Sequence, residues 1–369
     1  MAQLDRSRLL LKPLAERRNR MSIDADPIRP DDAPAALSAT ALQAVAEIAG
    51  CIKAARKKSR PVMLAFGAHT IKNGLGPLLA QMLRDGWFTH LATNGAGIIH
   101  DWELAFLGQT SESVEANVAS GTFGNWDETG RWINLALVVG AWEGRGYGES
   151  VGALIEREAL TLPSQAQLKE DMADYVEKDP ERSAAAVDLL AVMKRFELSP
   201  GTMKIPFPYK HISLQAEAFR LGCPFTGHPM IGHDIIYNHP MNHGGAIGRT
   251  GLRDFLTYAE GVSRLEDGVY LSVGSAVMSP MIFEKSMSMA QNLALQAGKK
   301  IENHYIAVVD LNESRWDWNK GEPPEDSPDY YIRYMKSFSR MGGRLRYVQA
   351  DNRDFYLALA KALNPKPAP

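Results

Sequence analysis

Along much of this chain a short apolar run ends in a turn of small residues and gives way to helical text. That order constrains the fold more than any other feature. PVMLAFGAH (61–69) reads as a buried strand closing at Gly67, and a helix follows at 75–84. FTHLATNGAGIIHDWELAFLG (88–108) reads as strand, glycine turn and helix start, and GVYLSVGSAV (268–277) runs into another small-residue turn before a helix at 280–297. HYIAVVDL (304–311) and RLRYVQAD (344–351) complete the set, the last followed by a helix at 354–363. Strands separated by helices need crossover connections, so the pattern predicts a parallel sheet with helices covering it. Helices are also predicted at 39–58, 212–221 and 330–338, with helical text over 151–199 closed by Ser199-Pro200-Gly201. The apolar run 132–142 has a length that suits either element, and its flanking charges favour helix; Cys223-Pro224-Phe225 enters a short strand. The simplest architecture is one doubly wound, mainly parallel α/β domain over 41–369, with a helical insertion near 145–200 and an N-terminal arm over 1–40.

Composition narrows the function classes. Lys and Arg number 41 against 43 Asp and Glu, a net charge of −2, which argues against a nucleic-acid partner. Cys51 and Cys223 are the two cysteines, too few for a disulfide framework or a thiolate zinc site, and a reducing cytoplasm suits them. No segment has the ~18 uncharged apolar residues of a spanning helix, so no membrane role is expected. The arm carries Arg6, Arg8, Lys12, Arg17, Arg18 and Arg20 but lacks the apolar stretch of a secretory signal. Asp24, Asp26, Asp31 and Asp32 follow closely and argue against an organellar address.

Three features can carry chemistry. The first is the set of strand-end turns: Gly67-Ala68-His69-Thr70, Thr93-Asn94-Gly95-Ala96-Gly97, Gly274-Ser275-Ala276 and Ala350-Asp351-Asn352. In open α/β sheets ligands lie at such ends, where small residues let backbone N–H groups approach an anion. None is a Walker loop, and each alone is ordinary structural punctuation; four at strand ends point to a nucleotide-sized ligand. The second is a His-rich loop with His228, His233, Asp234, His239 and His243. Pro229 and Pro240 break any helix there and HExxH is absent, so a polar loop lining a cleft is the plainer reading than a metal site. The third is His100-Asp101, where a histidine near a helix start can move protons or simply hydrogen-bond.

At TNGAGIIHDWELAFLG the chain resembles deoxyhypusine synthase, whose turn and following Asp match Thr93, Asn94, Gly95, Ala96, Gly97 and Asp101 in spacing. GAHTIKNG falls on that family's first nucleotide turn, with His69 and Thr70 in it. GVYLSVGSAV is similar to the strand leading to its triple-glycine turn, which places Gly274 and Ser275. HYIAVVDL brings Asp310, and RYVQADN puts Asp351 on the cofactor-binding Asp. In DSPDYYIRYMKSF, Lys336 follows Pro328-Asp329 at the spacing of the family's imine-forming lysine. NGAGIIHD also resembles a turn of the archaeal ornithine cyclodeaminase-like family, through Asn94, His100 and Asp101. The resemblance implies a Rossmann-like NAD-binding fold, a homotetramer, and a small amine or amino-acid substrate.

The departures matter equally. The family's substrate acids fall on Ile99, His100 and Tyr330, and a polycation needs carboxylates to compensate its desolvated charge, so spermidine is a poor candidate. The family's catalytic His falls near Met278–Pro280, where none stands; His233 is the candidate substitute, with Asp234 beside it for substrate, and Tyr334 keeps an aromatic wall before Lys336. The first reading is therefore an NAD-dependent enzyme forming an imine, with Lys336, His100 and His233 as catalytic candidates, Asp101, Asp234, Tyr330 and Tyr334 against substrate, and no metal. An ornithine cyclodeaminase-like lyase with catalytic NAD, a metal-dependent hydrolase centred on the loop 228–243, and a non-catalytic nucleotide-binding protein are the alternatives.

Overall fold

Six strands form the central sheet: β1 (Val62–Phe66), β2 (His90–Asn94), β3 (Phe225–His228), β4 (Val269–Val273), β5 (Tyr305–Asp310) and β6 (Arg344–Gln349), in the spatial order β6-β5-β4-β1-β2-β3. The computed structural model describes residues 1–25, 28–29, 31–35 and 37–364; Asp26, with the other remaining parts of the expected arm and the end of the expected domain, lies outside the described residues. Pairings from β6 through β2 are parallel, with Leu64 opposite both Leu271 and Leu91. Every residue of β1 and β4 is buried, as a sheet covered on both faces requires. The chain lays down β1, β2 and β3 to one side, then returns beside β1 to lay down β4, β5 and β6. This is a doubly wound, Rossmann-like α/β fold, as the strand–turn–helix text predicts.

Side-chain alternation divides the core. Met63, Ala65, Tyr270, Ile306, Val308 and Leu345 meet Tyr258, Phe283 and Phe338 on one face. There the Tyr270 ring stacks on Phe283 with centroids 4.2 Å apart, and the Tyr258 hydroxyl donates to that of Tyr270 at 2.8 Å. Elsewhere in this unit the helix Ala39–Lys57 buries Val45, Ile48 and Ile52 at helical spacing and packs on the helix Asn352–Leu363.

Contacts divide the chain into two units. A sheet unit comprises Ile28–Gly97, Cys223–Thr226 and Phe255–Pro369; a helical unit comprises Met1–Pro27, Ile98–Gly222 and Gly227–Asp254. The expected insertion near 145–200 is thus part of a larger helical unit. The run 132–142 lies in the helix Asp127–Glu143, which is buried around most of its girth. Text over 151–199 is not continuous helix: after Tyr147–Arg157 the chain takes a positive φ of 52° at Glu158, and Ala159–Leu162 pairs antiparallel with Gly201–Lys204. Part of the arm is ordered structure, since Asn19–Ser22 pairs antiparallel with Gln109–Glu112 and Arg17 makes a buried ion pair with Glu103 at 2.6 Å. Among the described residues no helix is long and apolar enough to cross a membrane.

Candidate functional site at the carboxyl edge of the sheet

The strand order reverses between β1 and β4, and both strands end in glycine. Gly67 N–H donates to the Val273 carbonyl at 3.0 Å, and a Cβ on Gly67 would lie 1.9 Å from the Gly274 carbonyl oxygen. Gly274 has φ +57°, and a Cβ there would meet the Asn352 side chain at 2.5 Å. Gly67 thus lets the main chains of the two strand ends approach closely, and the positive φ of Gly274 suits glycine, at the edge where the crevice of such folds lies. Next to it, His69 is exposed in the short helix Ala68–Lys72, while Thr70 is fully buried beside Tyr356.

Thr93, Asn94, Gly95, Ala96 and Gly97 do not form a free loop. The helix Gly95–Leu107 starts directly at the end of β2, and Asn94 Oδ1 accepts from Gly97 N–H at 2.9 Å. An Asn side chain in that place satisfies one of the donors a helix start leaves open, which is why the glycine turn becomes a first helical turn. Thr93 Oγ1 donates to the Phe66 carbonyl at 2.9 Å and fills the space a Cβ on Gly97 would need. Ser275 Oγ accepts from Ser279 N–H at 3.2 Å.

At the next two strand ends, Asp310 Oδ1 accepts from Asn312 through its N–H at 3.2 Å and Nδ2 at 3.0 Å. Asn312 Nδ2 also reaches the Tyr334 hydroxyl at 3.2 Å, which lies 3.4 Å from that of Tyr347. The structure thus brings Asp310 and Tyr334 together, with Asn312 and Tyr347 as partners that sequence reasoning missed. Burial pushes both phenols' proton affinity up. Asp351 caps the helix Asn352–Leu363, accepting from Arg353 N–H at 2.8 Å. Lys336 Nζ lies 3.0 Å from the Tyr330 ring centroid and 3.7 Å from Glu322 Oε2. Tyr330 and Lys336 therefore meet, in an arrangement that holds an ammonium cation.

The remaining candidates belong to the helical unit. Asp101 is buried and accepts from Ser213 Oγ at 2.6 Å, Leu214 N–H at 2.9 Å and Gln215 Nε2 at 3.0 Å. It holds the start of the helix Leu214–Arg220, and burial, set against these bonds, raises its pKa. His100 Nδ1 sits 2.8 Å from Thr110 Oγ1, which donates to Glu103 Oε2 at 2.5 Å, the carboxylate paired with Arg17. His233 is exposed. His239 contacts Asp127 at 3.2 Å, and His243 Nδ1 accepts from Ala246 N–H at 3.3 Å at the start of the helix Gly244–Ser263. Among the described residues no group of three or more His, Cys, Asp and Glu could hold a metal ion. Asp234 differs from its neighbours: burial pushes its pKa up to about 7. Near it in this unit, Asp254 accepts from Gly148 N–H at 2.8 Å and Gly227 N–H at 2.6 Å, and burial pushes its pKa to about 8. No local pattern marks Asp254, because its partners lie far away in sequence.

No family model matches the chain, and no curated protein does. Solved structures do. A conserved LOR/SDH protein from Methanococcus maripaludis S2 is 13% identical with a TM-score of 0.44, over 91% of this chain and 73% of that one. ArgZ, an arginine dihydrolase from the ornithine-ammonia cycle in cyanobacteria, is 14% identical with a TM-score of 0.43, over 90% of this chain and 33% of that one. AgrE, in a ternary complex with ornithine and NAD+, is 13% identical with a TM-score of 0.43, over 89% of this chain and 34% of that one. This chain spans about a third of the length of ArgZ and AgrE. At these values the likeness carries no argument about what this chain binds.

Proposed function

We propose that the chain is an NAD-dependent enzyme that acts on an amine or an amino acid through an imine, in a deoxyhypusine synthase-like manner but on a substrate other than spermidine, and in the tetrameric assembly that the resemblance implies. The observation that carries this reading is the reversal of strand order between β1 and β4, with Gly67 and Gly274 in backbone contact at that edge. A doubly wound sheet takes dinucleotides at that place, where bare backbone lets a pyrophosphate come close. Backbone donors of the Gly67–Thr70 turn and the helix start at Gly95 would hold such a dinucleotide, with Ser275, Asp310 and Asp351 offering oxygens to its hydroxyls. Bound NAD supplies an acceptor for the two electrons of a C–N oxidation.

Lys336 is the nucleophile candidate of this proposal. Its ammonium must leave the Tyr330 ring and Glu322, and lose a proton, before its nitrogen can attack. Three measurements test the reading. Calorimetry should detect NAD binding to the full chain, and its absence would leave only the fold. In a screen of amines and amino acids followed at 340 nm, Lys336→Arg should keep NAD affinity and lose at least about a hundredfold in turnover, since a guanidinium forms no imine. Borohydride added during turnover should trap an adduct on Lys336. An active Lys336→Arg variant would return Lys336 to the role of a structural ion pair.

A further inference from the structure

Four side-chain oxygens of the helical unit are buried without a hydrogen-bond partner among the described residues: Gln215 Oε1, the hydroxyls of Tyr147 and Tyr237, and Asp234 Oδ2. Tyr147, Asp234 and Tyr237 supply three of them. Asp234 and Tyr237 bracket one turn, where Tyr237 N–H donates to the Asp234 carbonyl at 3.3 Å. That turn and the helix Tyr147–Arg157 both pack on the helix Asp127–Glu143, and the Asp234 charge raises the proton affinity of both phenols. Leaving a buried polar group unpaired is expensive, and three together mark a place shaped for a ligand that donates.

The walls of this place are held firmly. Tyr147 is fully buried at the start of the helix Tyr147–Arg157, which Asp254 pins through Gly148 N–H and Gly227 N–H. Gly227 leaves room for the ring, since a Cβ there would lie 2.6 Å from Tyr147 Cδ1. The turn Ile235–Tyr237 is anchored by buried Asn134, whose Nδ2 donates to the Ile236 carbonyl at 2.9 Å, and by Arg6, which donates to the Tyr237 carbonyl at 2.6 Å.

A primary ammonium answers this set. It brings three N–H donors and one positive charge to two phenol oxygens and one carboxylate. We infer that Tyr147, Asp234 and Tyr237 form a site for the primary ammonium group of a small amine, an inference that rests on the amine chemistry proposed above. Among the described residues, the titratable and charged groups around this turn include Tyr147, Tyr237, Asp254 beyond Tyr147, and Arg6 at the Tyr237 carbonyl; His233, the neighbour of Asp234 in the chain, is exposed. Because burial keeps Asp234 protonated up to about pH 7, capture of a cation must expel that proton in acid.

The test is calorimetry of the full chain with butylamine, with butyltrimethylammonium as the control, and with NAD in a separate titration. Butylamine should bind about tenfold more weakly at pH 6 than at pH 8, following the ionised fraction of Asp234. At pH 6 the heat should depend on the buffer's ionisation enthalpy, reporting close to one proton released per site. Butyltrimethylammonium, which has no N–H, should bind at least about tenfold more weakly. Asp234→Asn and, independently, Tyr237→Phe should each weaken butylamine at least about tenfold and leave NAD affinity unchanged. If NAD binds and butylamine does not, the inference falls, the oxygens are hydration sites, and the proposed function survives. Equal binding of the trimethyl analogue also overturns it. Butylamine binding without NAD binding sustains the ammonium site and removes the NAD-dependent reading.

Discussion

At the scale of single residues, space decides more than chemistry. Gly97→Ala would place a Cβ 2.2 Å from Thr93 Oγ1, an atom held by its bond to the Phe66 carbonyl. Alanine gains up to ~1 kcal/mol in helix propensity, but overpacking costs ~1–3 kcal/mol. Urea unfolding should therefore show a net loss of about 1–2 kcal/mol. Adding Thr93→Ala should recover most of it, because the obstructing oxygen is then gone. The sequence marks Thr93, Asn94 and Gly97 as a strand-end turn, but not the side-chain bonds that turn it into a helix start. In the fold Asp101 and Asp351 accept from N–H groups at helix starts, and His100 meets Thr110, which bonds the Glu103 carboxylate. A sequence shows that a polar residue is present; its partners, such as Ser213 for Asp101, are a hundred positions away.

At the scale of elements, the helix Tyr147–Arg157 has no cap in its own sequence. Its N-cap is Gly146, which offers no side chain, and Asp254 does that work from another helix. A Cβ on Gly146 would lie 1.8 Å from Asp254 Oδ1, so the glycine is the condition for this remote cap. Asp254→Ala would leave two buried N–H groups unpaired, a loss of roughly 2–4 kcal/mol. Hydrogen exchange should locate it first at the Gly148 and Gly227 amides; retained protection there would refute the capping role. Strands and helices of the sheet unit were legible because apolar runs and small-residue turns are local signals. The antiparallel pairs Asn19–Ser22 with Gln109–Glu112 and Ala159–Leu162 with Gly201–Lys204 were not, since each strand is short and its partner distant.

At the scale of the whole molecule, buried titratable groups set a direction with pH. Asp234 and Asp254 have pKa values raised to about 7 and about 8, so the native state binds their protons more tightly than the unfolded chain does. Their contribution is greatest in acid and fades as pH rises toward those values. His90 and His304 act oppositely: burial lowers them to about 3 and about 4, so their contribution is lost as pH falls below the ordinary histidine value. The two sets offset each other below about pH 6.5, and above it only the carboxylates change. Denaturant unfolding should therefore show stability falling between pH 6.5 and 8, and Asp254→Asn should flatten the slope; stability that rises over that interval would contradict this account. The strand order carries a further consequence, in time. β1 and β4 are hydrogen-bonded neighbours at the middle of the sheet, with Val62 opposite Val269. A ribosome adding ~5–20 residues per second needs roughly 10–40 s between making the first strand of that pair and making the second. Throughout that interval β1 is a nascent apolar strand whose β4 partner does not yet exist, so the middle of the sheet closes only after most of the chain has been made.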